Sequence, residues 1–130
     1  MSPFIEKRAL QVTIALGSIV PIGGGLLGII DGASMLGRDG NPDLDSHVRY
    51  LSGLLLGIGI AFVSLIPDLE MQSAKTTLLC SIVVVGGLAR LYGITLDGAP
   101  SSTMASALIM ELGVVPIVWL WQQRLTRVLP

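Results

Sequence analysis

The chain has 130 residues, of which 52% are hydrophobic and only 13% charged, with a formal net charge of -1 and a mean hydropathy of +0.77. Soluble domains carry roughly 25% charged residues, so this composition belongs to a membrane class. The missing basic surplus excludes a nucleic-acid footprint.

Four apolar stretches, 10–30, 50–66, 77–94 and 103–121, each approach the ~20 residues an α-helix needs to cross ~30 Å of hydrocarbon. The expected fold is therefore all-α, a bundle of four transmembrane helices with antiparallel neighbours. The connections are short, so residues 1–130 are expected to form a single integral membrane domain without an extramembrane module.

The first stretch follows Lys7 and Arg8 and precedes the small residues Gly32, Ala33 and Ser34, a pattern shared with signal peptides. It is longer than the 7 to 15 residues typical of a signal core and is read as a spanning helix. Gly24, Gly28 and Gly32 recur at i, i+4 and i+8 along it. Pro21 lies inside, where it frees the carbonyl of Gly17 and is expected to kink the helix.

Residues 31–49 form the longest hydrophilic connection, with Asp45 or Ser46 as the expected N-cap of the second helix. His47, the only histidine, lies there without metal-ligating neighbours and is read as a surface residue. The second stretch carries Gly53 and Gly57 and is expected to end at Pro67. The third carries Gly86 and Gly87, and the turn Asp97, Gly98, Ala99, Pro100 separates it from the fourth. Pro116 in the fourth frees the carbonyl of Leu112, again an expected kink. Cys80, the only cysteine, sits mid-helix, so neither an intrachain disulfide nor a cysteine metal site is expected.

Lipid tails are as apolar as leucine, so helices in a bilayer associate through small residues and interhelical polar contacts. Gly24, Gly28, Gly53, Gly57, Gly86 and Gly87 are the expected packing positions, within one chain or between two. Charges continue the same faces: Asp31 follows Gly28 by three residues, Arg49 precedes Gly53 by four, and Arg90 follows Gly86 by four. Glu111 is the lone acid of the fourth stretch.

At 1.5 Å per residue, Arg90 lies about 6 Å and Glu111 about 12 Å inside their helices, measured from the same membrane face. A long arginine spans that difference. An ionisable side chain in hydrocarbon costs at least ~2.5 kcal/mol and seeks a partner. A polar cluster of Asp31, Arg49, Arg90 and Glu111 is therefore expected, with Asp45 and Asp97 at its mouth. Such a cluster locks helix register, holds a small anionic or amphipathic ligand, or relays protons through Glu111.

Lysine and arginine counts orient the chain. Lys7, Arg8, Lys75, Arg124 and Arg127 fall on the side of the termini, against Arg38 and Arg49 opposite. Both termini are expected in the cytoplasm, with Trp119 and Trp121 at the inner interface and Tyr50 and Tyr92 at the outer. Residues 28–35 read GIIDGASM and residues 93–104 GITLDGAPSSTM, a faint echo that a parallel repeat or ordinary turn chemistry would produce.

The segments LDSHVRYLSGLLLGIG at 44–59 and GGLARLYGITLDGAP at 86–100, together with Glu111, resemble the small bacterial membrane proteins grouped as domain of unknown function 4345. The positions that carry the likeness are Arg49, Gly53, Gly87, Arg90, Gly98, Pro100 and Glu111. The resemblance implies a four-helix protein of a bacterial inner membrane and brings no activity with it.

Three functions compete. The first is a non-enzymatic accessory or scaffold subunit, packing in the lipid bilayer within a homo-oligomer or among other membrane subunits. The second is binding or transport of a small anionic ligand or lipid head group at the arginine and glutamate cluster. The third, an enzyme, lacks a histidine pair, a Cys and His couple, a phosphate loop and a Ser, His, Asp set. No catalytic residue, cofactor or metal is expected.

Overall fold

A computed structural model describes residues 1–38 and 40–129, and these are all-α. Helix α1 spans Pro3–Asp31, α2 Pro42–Val63 and α3 Ser73–Asp97. The last run is composite: α4, Ser102–Ile109, passes through a π-helical turn, Met110–Val114, into α5, Val115–Val128. Short 3-10 turns, Gly32–Leu36 and Leu69–Met71, follow α1 and precede α3. Four segments, Pro3–Leu36, Pro42–Val63, Ser73–Asp97 and Ser102–Val128, are long and apolar enough to cross a bilayer. The chain is a multi-pass membrane protein.

The helix ends follow local chemistry. Asn41, rather than Asp45 or Ser46, caps α2: its side chain accepts from the amides of Asp43 (3.0 Å) and Leu44 (3.2 Å). Pro42 presets the first helical φ and spares an amide that would go unbonded. The far end of α2 obeys Pro67 from a distance. Its absent amide would have served the Val63 carbonyl, so the helix stops at Val63 and the Ile66 amide takes that carbonyl in a tighter turn, at 3.1 Å. Gly98, at φ +87°, closes α3, and the Ser101 hydroxyl accepts from the Met104 amide to open α4.

The two internal prolines differ. Helix α1 continues through Pro21. At Pro116 the missing amide would have bonded Leu112, and the chain responds with the π turn, in which the Val115 amide reaches back five residues to Met110.

Two compact units make up the chain, one of residues 11–67 and one of Met1–Leu10 together with the residues from Asp68 onward. In the first, α1 lies against α2 backbone to backbone. A Cβ on Gly25 would sit 2.7 Å from the Leu56 amide and 2.8 Å from the Ser52 carbonyl, and one on Gly59 would meet Ile22 Cγ1 at 2.7 Å. A Cβ on Gly28 would overlap the Ser52 hydroxyl, and one on Gly32 the Asp45 carboxylate. The contacting positions, 22, 25 and 28 on α1, 32 in the 3-10 turn and 45, 49, 52, 56 and 59 on α2, advance in steps of three and four. That is a period of 3.5, the geometry of a shallow crossing.

In the second unit α3 packs along the whole of the last run, and at Gly87 an added Cβ would meet Leu112 Cδ2 at 2.8 Å and Glu111 Cβ at 2.9 Å. The packing role expected of the glycines is filled within the chain at Gly28 and Gly87. Gly24 meets only Leu55 Cδ2, at 3.8 Å, while Gly53, Gly57 and Gly86 face nothing among the described residues within 4 Å. Steps of four drift about 40° round a helix, so an i, i+4, i+8 row leaves a straight seam that steps of three and four can follow. Gly25 therefore replaces Gly24.

Candidate functional site: two arginine and carboxylate pairs

Arg90 and Glu111 meet as the depth argument requires. Arg90 lies three residues, one turn, past Gly87 on α3, and the glycine lets the π turn settle close enough for a planar fork. Arg90 donates from Nε to Glu111 Oε2 and from Nη2 to Oε1, both at 3.0 Å. Two parallel bonds fix orientation as well as distance. The third edge of the guanidinium, Nη1, faces the Met104 sulfur at 3.3 Å, a weak acceptor. The side chains retain 32% and 19% exposure.

Arg49 makes a different arrangement in the other unit. Its Nε donates to Asp45 Oδ2 at 2.8 Å, one helical turn back, and its Nη1 donates to the carbonyls of Ile29 and of Ile30, the latter at 3.1 Å. These carbonyls belong to the last turn of α1, where the α-ladder gives way to the 3-10 turn. The other Asp45 oxygen accepts from the Ala33 amide at 2.9 Å. The pair thus ties the end of α1 and the 3-10 turn to the start of α2.

The expected cluster is therefore built as two pairs, one in each unit, and the acid that Arg49 takes is Asp45. Asp31 contributes its backbone carbonyl, which accepts from the Ser34 hydroxyl at 2.6 Å. Asp97 is the exposed last residue of α3.

A third polar assembly, within the second unit, is one that sequence reasoning missed. Gln122 is fully buried and donates to the Leu69 carbonyl at 2.8 Å and the Thr126 hydroxyl at 3.1 Å. Thr126 donates in turn to the Glu70 carbonyl. Gln123 donates to Ser73 Oγ at 2.9 Å, and the Trp119 indole donates to Thr77 Oγ1, also at 2.9 Å. Lys7 lies across both oxygens of Glu70, 2.9 Å from Oε1 and 2.8 Å from Oε2. Arg124 pairs with Glu6 at 3.2 Å.

The Lys7 ammonium holds the Glu70 carboxyl below its ordinary range, against an opposing push from burial. The start of α1, the connection before α3 and the end of α5 are thereby fastened together. The signal was present in the paired amides and the hydroxyl of 119–126, which the expected span ended too early to include. Among the described residues no group of three or more His, Cys, Asp or Glu could hold a metal ion.

A family model described as a domain of unknown function, DUF4345, matches residues 9–122. The chain belongs to the DUF4345 family. The matched region takes in both arginine pairs of this DUF4345 protein and most of the amide and hydroxyl assembly. No curated protein and no solved structure matches the chain significantly.

Proposed function

We propose that this DUF4345 protein is a non-enzymatic packing subunit of a bacterial inner membrane, with both termini in the cytoplasm, that works in a homo-oligomer or beside other membrane subunits. One observation carries the reading. The chain itself buries very little of the apolar stretch of the fourth span, while its one acid is already paired with Arg90. The span thus offers an apolar face to lipid or to another helix. The open glycines Gly53, Gly57 and Gly86 fit the same use, because small residues allow helices in lipid to approach closely. Mild extraction followed by native mass spectrometry tests it: a homo-oligomer or a stoichiometric companion is expected, and a monodisperse monomer without one overturns it.

The exposed third of Arg90 supports a second reading, retention of a small anionic ligand or lipid head group at the pair. Native mass spectra of the Arg90→Gln protein should then lose a bound small molecule that the unaltered protein keeps. Equal retention in both sinks that reading.

A further inference from the structure

We infer that the fourth span is a two-register helix and that the Arg90 and Glu111 fork is the catch that selects between its registers. The π turn Met110–Val114 holds one residue more per turn than an α-helix allows. Returning it to α geometry would rotate Ser102–Ile109 by about 100° and shift it by about 1.5 Å relative to Val115–Val128. Pro116 narrows the usual preference for the α turn. With an ordinary α turn the Leu112 carbonyl loses its amide and crowds the proline ring, whereas the π turn avoids that clash at the cost of a wider, less well packed turn.

Gly113, inside the turn, has nothing among the described residues within 4 Å of where a side chain would begin, so the turn has room to rewind. The fork adds to the side of the π turn. Glu111 reaches both Nε and Nη2 of Arg90 because the π turn seats its Cβ over Gly87. A rotation of about 100° carries the carboxylate off that face. Occupancy of the fork is thereby coupled to which side of Ser102–Ile109 faces outward.

The register can be read in lipid vesicles by placing a nitroxide at each of positions 103–109 in turn, in a Cys80→Ser background, and recording its collision rate with dissolved oxygen. With the fork intact, collisions should peak at 103, 106 and 109, the exposed positions, and fall at 104, 105, 107 and 108, which are half-buried. In Glu111→Gln the pattern should move by one residue, while labels at 118 and 120 keep their buried and exposed values. Arg90→Lys, which keeps the charges but cannot form the fork, should move it the same way and serves if the first variant fails to insert. A pattern unmoved in an inserted variant overturns the inference.

Discussion

Arg90 holds Glu111 through two nitrogens in one plane, which a lysine ammonium cannot imitate. Arg90→Lys should therefore lower stability by roughly 1 to 3 kcal/mol, read as an earlier unfolding midpoint in a denaturing detergent titration. Thr76 presents the opposite case, fully buried with no partner for its hydroxyl among the described residues. Thr76→Val removes that unbonded group at almost constant shape. It should leave stability unchanged or raise it by up to about 1 kcal/mol in the same titration. Glu70 sets a pH dependence. Its carboxyl is held below the ordinary value of 4.5, so the stability it lends through Lys7 is complete above that value and is lost as pH falls through the lower, folded one. Melting points in mild detergent should drop between neutral and strongly acidic pH, and Glu70→Gln should flatten that part of the drop. At this scale the sequence exposes Arg90 and Glu111, because an isolated charge in an apolar run needs a partner and both depths count from one face. It hides the partner of Arg49. The same hydrophilic stretch of sequence holds four acids, and the choice of Asp45 depends on Asn41 starting α2 early enough to place residues 45 and 49 one turn apart, facing the end of α1.

Helices α1 and α2 touch through Gly25 and Gly28, and the nearest obstacles to a methyl at Gly25 are the backbone atoms of Leu56 and Ser52. Neither can yield without parting the helices. Gly25→Ala should cost about 1 to 3 kcal/mol, in the range for overpacking, whereas Gly53→Ala, facing open space within the chain, should be near neutral in isolated monomer. Comparing the two by detergent unfolding separates the intrachain seam from the outward glycines. The four spans were legible as elements because each carries a predominantly apolar run close to bilayer length. Their ends were less so: α1 begins at Pro3 and α5 runs to Val128, since polar residues at a membrane edge extend a helix as readily as they end it. Pro116 showed that the α-ladder must fail near Leu112. Whether a kink or a π turn absorbs the failure depends on what Glu111 gains from Arg90, a contact between residues 21 apart.

At the level of the whole molecule, Lys7 with Glu70 and Glu6 with Arg124 bring the start of α1, the connection before α3 and the end of α5 to one end of their unit. That arrangement fits the proposal that both termini lie on one side of the membrane. Reporter fusions at each terminus should give the same compartment signal, cytoplasmic on the charge counts, and opposite signals would refute the proposed topology. The closure at Arg49 bears on how the chain is made. The last carbonyls of α1 find their donor on a side chain 19 and 20 residues further along, and Asp45 steadies the turn between. Until that stretch has left the ribosome, the Ile29 and Ile30 carbonyls lack this donor. Partition of the first segment out of the translocon should accordingly wait for the second. A nascent chain arrested before Arg49 clears the exit tunnel should remain crosslinkable to the translocon, and a longer one should be released to lipid as a hairpin.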